Sequence, residues 1–268
     1  MTFEPLREKL VIDGGRTIIV DDRDCVSSTN DLPKEAAECG APEGYTVTAH
    51  QQTAGKGRLG RRFESPKDAG LYFTLILRPT EDLSNLWLVT VTAVTAMCET
   101  IRNDFGIDAQ IKWVNDLYLD GLKISGTLTE SVVDADGRAR YVVVGTGVNL
   151  CEPEDGVPPT VQGIAGYLFD RQSVDPSVRR RILEGFMQRF FRMYDMLPET
   201  TCIDLYREYC FLPGTDVYVP KASGPVSARV LGISDDFGLI VRYENGTEEE
   251  LSTGEVSVRG FRQQPRLI

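Results

Sequence analysis

Histidine is almost missing from this chain: among its 268 residues only His50 carries an imidazole. The six cysteines, Cys25, Cys39, Cys98, Cys151, Cys202 and Cys210, include no C-x-x-C pair, so a zinc site has too few ligands to draw on. Positive charge is scarce as well. Lys plus Arg number 29 against 40 Asp plus Glu, a net charge of -11, which opposes general binding to nucleic acid or to anionic membranes. No charged opening segment leads into an apolar run, and no stretch approaches the roughly eighteen unbroken apolar residues of a membrane span. Neither export nor membrane insertion is expected, and reduced cysteines in a cytoplasm fit best.

Against that acidic background, Gln51 to Pro66 stands out. Lys56, Arg58, Arg61 and Arg62 fall within seven residues, spaced by Gly55, Gly57 and Gly60. Glycine lets backbone approach a ligand closely, and Arg forks match phosphate and carboxylate oxygens. The stretch is expected to cradle an anion, although a solvated Gly/Arg connection has the same composition. Gly55-x-Gly57-x-x-Gly60 also satisfies the dinucleotide fingerprint. That motif must open a helix, and Arg61-Arg62-Phe63-Glu64-Ser65-Pro66 follows instead. A Walker loop fails because Gly57 follows Lys56, and the kinase motifs are missing.

In chain order, a strand is expected over Thr17 to Val20, then Ser28-Thr29-Asn30 before a short helix over Leu32 to Cys39. Those side-chain oxygens suit helix capping or a bound carboxylate or ureido group. Strands follow at Tyr45 to Ala49 and Leu71 to Leu77, slinging the Gly/Arg loop between them. Ser84 should cap a helix over Leu86 to Phe105, which carries a 3.6-period apolar stripe. Asp120-Gly121 joins two alternating runs into a hairpin ending at Glu130. On its second strand Lys123 is either a solvated surface lysine or part of a site opened by Gly126. A strand over Tyr141 to Val148 precedes helical patterns at Val161 to Phe169, Pro176 to Met196 and Thr201 to Cys210. After Phe211-Leu212-Pro213-Gly214, short strands at 216–219, 226–233, 239–243, 248–251 and 256–259 predict a small β-barrel of the SH3 kind.

Five motifs in this order resemble those of the biotin protein ligases along nearly the full chain. They are Ser28-Thr29-Asn30, Gln52-Thr53-Ala54-Gly55-Lys56-Gly57-Arg58 with Gly60-Arg61 and Ser65-Pro66, Lys112-Trp113-Val114-Asn115-Asp116, Lys123-Ile124-Ser125-Gly126, and Gly145-Thr146-Gly147-Val148-Asn149. Val114 stands where the family usually has Pro, and Phe63 where it usually has Trp. About 27 residues precede Ser28, too few for the winged helix of the repressor members, so the resemblance is to the short class without a DNA-binding domain.

The resemblance implies an α+β fold, a mixed or antiparallel sheet packed by helices in the manner of class II synthetases. It would occupy residues 1–211, with an SH3-like C-terminal domain at 212–268. It implies ATP-dependent attachment of biotin to a lysine of a biotin carboxyl carrier domain through biotinyl-5′-AMP, with Mg²⁺ beside the ATP. Arg58 and Lys123 are then expected to be catalytic. Biotin is expected against Ser28, Thr29, Asn30, Gln52, Lys56, Gly57, Arg58, Lys123 and Gly126. The adenylate is expected near Arg58, Arg61, Phe63, Lys112, Trp113, Asn115, Asp116, Gly145, Gly147 and Asn149. Asp116 is the candidate Mg²⁺ ligand, or else pairs with Lys112. No DNA or membrane partner is expected, and a homodimer through exposed sheet edges is compatible with the family. The rivals are a lipoate ligase or octanoyl transferase, expected to lack the Gly55 to Arg61 run, and a non-catalytic ligand-binding module.

Overall fold

A computed structural model of the chain describes residues 8–79, 86–135, 138–199, 201–252, 254 and 256–258. The alternating runs pair into two sheets. The first holds β1 (Glu8–Val11), β2 (Thr17–Val26), β3 (Tyr45–Gln52), β4 (Gly70–Leu77), β5 (Gln110–Lys112), β6 (Asp116–Leu119), β7 (Leu122–Val133) and β8 (Ala139–Asn149). Their order is β1-β2-β3-β4-β8-β7-β6-β5. Only β2 and β3 run parallel, because α1 (Asp31–Glu38) carries the chain back between them; the other neighbours are antiparallel. The sheet is mixed, as expected.

Period-two alternation gives its two faces different work. On one face Leu71, Phe73, Leu75 and Leu77 of β4 and Val142, Val144 and Val148 of β8 join the main core. Against them pack α2 (Leu86–Phe105) and α3 (Val178–Tyr194), with Phe73 edge-on to Phe186 at 5.0 Å. Each such side chain contributes about 1.5–3 kcal/mol by leaving water. On the other face α1 lays Ala36 and Ala37 over Tyr45, Val47, Ile76 and Val143. Beyond α1 that face is left to Thr74, which is buried, and to Gly145 and Gly147, which line a cleft.

Several expected elements shift. β1 and β5 are short additions at the two edges. Ser84 lies outside the described residues. The helical pattern at Val161 to Phe169 does not form a helix: beyond a short 3-10 turn at Pro159–Val161, its backbone runs beside β7. Lys123 N–H donates to Ile164 O, and Gly166 N–H donates to Lys123 O, each at 2.8 Å. Gly163 has φ +72, and a Cβ at Gly166 would stand 2.8 Å from Leu122 Cβ, so the two glycines bend the segment against the strand. Beyond α4 (Ile203–Tyr209), five strands follow: β9 (Asp216–Lys221), β10 (Gly224–Ile233), β11 (Leu239–Tyr243), β12 (Glu248–Leu251) and β13 (Ser257–Val258). They form an antiparallel sheet in the order β12-β11-β10-β9-β13, compatible with the SH3-like module expected there. Arg259, expected in its last strand, is outside the described residues.

Phe237 joins the two sheets. Its ring is buried edge-on against Trp87 and Tyr206, both at 5.4 Å, and its carbonyl accepts the Trp113 indole N–H at 2.8 Å.

Candidate active site

The cleft over the glycine face has a volume of about 630 Å³ including its open mouth. Its walls come from four places in the chain: the turn before α1, the Gly/Arg loop, the β5–β6 turn, and the facing parts of β7 and β8. Ser28, Thr29, Asn30, Gln52, Lys56, Gly57, Arg58, Arg61, Phe63, Asn115, Asp116, Lys123, Gly126, Gly145 and Gly147 all line it. These residues were expected to share a site, and folding brings them together.

The Gly/Arg loop folds back as a ribbon, with Gln52 bridged to Ser65 and Lys56 to Arg62. Gly55 is needed for close approach, since a Cβ there would meet the Phe63 carbonyl; Gly60 is needed for its φ of +74. At the tip Arg58 Nη1 donates to Asn115 Oδ1 at 2.9 Å, while Asn115 Nδ2 donates to Thr127 O at 2.8 Å. Asn115 thereby ties the arginine to β7. Lys56 pairs with Asp31 at the start of α1.

Lys123 is not a solvated strand lysine. Its side chain is 16% exposed, and its ammonium pairs with Asp116 Oδ1 at 2.7 Å rather than leaving Asp116 to Lys112. Gly126 makes room for that pair: a Cβ there would stand 3.2 Å from Lys123 Nζ and from Asp116 Oδ1. Gly145 and Gly147 serve their neighbours similarly, because a Cβ at either would fall on Asn30 or on the Phe63 ring.

Charge is lopsided. Among the described residues, Lys56, Arg58, Arg61, Arg62 and Lys123 line the cleft against a single lining carboxylate, Asp116, although the whole chain carries -11. Such a cleft attracts and holds anions. A second, more apolar recess of about 430 Å³ adjoins it, bounded by Phe63, Tyr72, Val161, Ile164, Ala165 and Tyr167. Phe63 and Lys123 border both recesses, so two ligands could meet at Lys123.

Three expected residues stand apart from the charged cleft. Trp113 is buried, its indole committed to Phe237. Lys112 lies on β5 with its ammonium 5.4 Å from the Tyr118 ring centroid. Alternation along the strand explains this, since Ile111 and Trp113 point into the core. Asn149 borders the second recess, and its amide donates to Lys123 O at 3.3 Å and Gly166 O at 3.1 Å. At the entrance to α1, Ser28 Oγ accepts the Asn30 backbone N–H at 3.3 Å, while Thr29 turns its donors to Gln52. Asn30 is the N-cap residue, without a side-chain cap bond, and Ser28 and Thr29 are buried in the cleft wall.

Sequence reasoning missed Arg62, Thr127, Thr146, Thr74 and Glu130. Arg62 belongs to the basic run already singled out, but Thr74 and Glu130 sit in strands whose sequences carry no separate signal. Burial pushes Glu130 up, yet hydrogen bonds from Asn30 and Lys34 outweigh it and hold the carboxyl below its ordinary range.

A cationic polar cleft sharing a lysine with an apolar recess, on a mixed sheet with a basic Gly/Arg ribbon, defines a protein built to bind an anionic ligand. Residues 23–149 match the model of the Biotin/lipoate A/B protein ligase family. The bifunctional ligase/repressor BirA of Bacillus subtilis is 33% identical over 229 residues, 84% of this chain and 70% of the relative. The biotin–[acetyl-CoA-carboxylase] ligase of Paracoccus denitrificans is 36% identical over 225 residues, covering 75% of this chain and 85% of the relative. The biotin protein ligase from Aquifex aeolicus in complex with biotin and ATP superposes with a TM-score of 0.73 at 25% identity, covering 90% of this chain and 98% of that one. The chain belongs to the biotin protein ligases.

Proposed function

We infer that the protein attaches biotin to a carrier protein at the expense of ATP. The observation that carries this reading is the pairing of the two recesses at Lys123. In the first step the biotin carboxylate attacks the α-phosphorus of ATP, forming a C–O–P mixed anhydride and expelling pyrophosphate. In the second a carrier lysine amine attacks the anhydride carbonyl, forming the amide and expelling AMP. No protein nucleophile is required, which suits a chain with one histidine.

The polar cleft suits biotin: Ser28, Thr29, Asn30 and Gln52 present hydrogen-bonding groups, and Lys56, Gly57 and Gly126 close its sides. Arg58 and Lys123 bracket the meeting point of carboxylate and α-phosphate, where fixed cations stabilise charge that develops on the phosphoryl oxygens. Arg61 adds to that positive wall on the nucleotide's side, and Asn115 holds Arg58 in place. The apolar recess, with Phe63 at its border and Asn149 behind it, suits adenine, and Gly145 and Gly147, on the polar cleft's side, leave room for Asn30 and for the Phe63 ring that separates the two recesses. Lys112 and Trp113 act at most from beneath, by holding the Asn115–Asp116 turn.

A Mg²⁺ ion fits this donor set only as a guest of the phosphates, because Asp116 is the one carboxylate among the described lining residues and it already pairs with Lys123. When bound, Mg²⁺ supplies charge neutralisation on the phosphate oxygens. The acceptor is proposed to be a biotin carboxyl carrier domain, and residues 1–211 and 212–268 are proposed as the ligase and SH3-like domains. A cytoplasmic setting agrees with six free cysteines and with no helix among the described residues being long and apolar enough to cross a membrane. The acidic balance argues against DNA as a partner, and the β1 edge, with Val11 exposed, is available for a homodimer.

Biotin-dependent exchange between ATP and pyrophosphate, followed by a biotin-sized mass increase on a carrier lysine, tests the reading. Turnover of lipoate without turnover of biotin would refute it in favour of a lipoyl ligase.

A further inference from the structure

Along one wall of the proposed biotin cleft runs a line of hydrogen bonds, partly buried at its ends and fully buried at Thr74. At one end Lys34 of α1 donates to Glu130 Oε1 at 2.7 Å. Asn30 Nδ2 donates to Glu130 Oε2 at 2.8 Å, which turns Asn30 Oδ1 toward the sheet. There the Thr74 hydroxyl is shared between Asn30 Oδ1 at 2.8 Å and Thr29 Oγ1 at 2.9 Å. Thr29 continues the line by offering both its backbone N–H and its hydroxyl to Gln52 Oε1, at 2.8 and 3.1 Å. Gln52 Nε2 then donates to Ser65 Oγ at 2.7 Å.

The line has a direction. An ionised carboxylate only accepts, so Glu130 decides which end of the Asn30 amide faces it. Asn30 Oδ1 then takes the Thr74 proton, and the two donors of Thr29 decide which end of the Gln52 amide faces inward. Asn30 Nδ2 carries a second hydrogen, and because Asn30 lines the cleft, a ligand carbonyl seated there would meet it. Thr74 is fully buried and does not line the cleft, and Glu130 does not line it either.

We propose that Thr74 and Glu130 are positioning residues for biotin: between them they fix the amide orientation of Asn30, which lines the cleft, and so present its remaining N–H to the ureido carbonyl. This rests on the biotin reading above. Neither residue touches the ATP recess, so their loss acts on biotin and not on ATP.

The test uses Thr74→Val, which keeps the shape and removes the hydroxyl, and Thr74→Ser, which keeps the hydroxyl. Calorimetric biotin affinity and the KM values for biotin and ATP are measured on the full chain. Thr74→Val is expected to weaken biotin about tenfold, the scale of one hydrogen bond in a buried network, with the KM for ATP within about twofold. Thr74→Ser should bind within about twofold of the unaltered chain. Unaltered biotin affinity in Thr74→Val, or equal losses in both variants, overturns the proposal. Should Thr74→Val fail to fold, Glu130→Ala and Glu130→Gln decide in its place. Ala removes the acceptor and should weaken biotin several-fold, about half the logarithmic effect of losing Thr74, while Gln keeps an acceptor for Asn30 and should restore it. Equal binding by both Glu130 variants overturns the proposal too. If the unaltered chain binds no biotin, the biotin reading falls and this inference with it; if it binds biotin and the variants match it, only this inference falls.

Discussion

The two faces of the eight-stranded sheet are built from the same strands for opposite purposes. On β4, Phe73 and Leu75 enter a core closed by α2 and α3, while Thr74 between them enters a polar network under the cleft. On β8, Val144 and Val148 join that core, while Gly145 and Gly147 leave space on the other face for Asn30 and Phe63. A one-residue slip would exchange these roles along the whole strand, so the apolar face holds the register that the site depends on. Stability is concentrated on one face and chemistry on the other.

Substitutions can break that division or sharpen it. The largest effect is expected from Phe186→Ala on the core face, which stacks on Phe190 and meets Phe73. Such a truncation costs about 3–5 kcal/mol, read by denaturant titration, and adenylate formation per folded molecule should survive. Selective loss of activity there would contradict the division. Next comes Arg58→Ala on the cleft side: adenylate formation should fall by roughly two to three decades with the denaturation midpoint unchanged. A parallel fall in stability would mean that the arginine is chiefly a brace for the Asn115 turn. Gly145→Ala lies between the two regions, because its Cβ would displace Asn30. It should cost about 1–3 kcal/mol in stability and weaken biotin as well, measured by calorimetry.

The smallest effect concerns pH. The Glu130 carboxyl is held below its ordinary value of 4.5 in the folded chain, so its stabilising contribution is present above that pH and is lost as pH falls through the folded pKa. The difference in melting temperature between the unaltered chain and Glu130→Gln should therefore be small at neutral pH and shrink further in acid. A difference that grows in acid would contradict the sign of that shift.

Much of the site was legible because its residues fall in short runs of unusual composition. The Gly/Arg ribbon is visible against an acidic chain, and the Asp120-Gly121 hairpin sets Gly126 opposite Asp116, which leaves room for the Lys123 side chain to reach that carboxylate. Spacing alone could not separate Lys112 and Trp113 from Asn115, since strand alternation sends neighbours in one motif to different faces. Val161 to Phe169 has the apolar spacing of a helix, but Gly163 and Gly166 favour the bend that sets this segment beside Lys123. Thr74 and Glu130 were hidden for another reason: a buried threonine and a partly exposed glutamate are ordinary in strands, and only the folded sheet brings them to Asn30. Long-range pairing of this kind leaves no local pattern.

Lys123 tests the account most directly, because it borders both recesses and pairs with Asp116 in the cleft wall. Single-turnover formation of biotinyl-adenylate by Lys123→Gln should be measured alongside calorimetric biotin affinity. The account predicts a rate lower by about two to three decades with biotin affinity changed far less, since the lost charge acts mainly as phosphorus becomes pentavalent. A near-normal single-turnover rate in Lys123→Gln would contradict it.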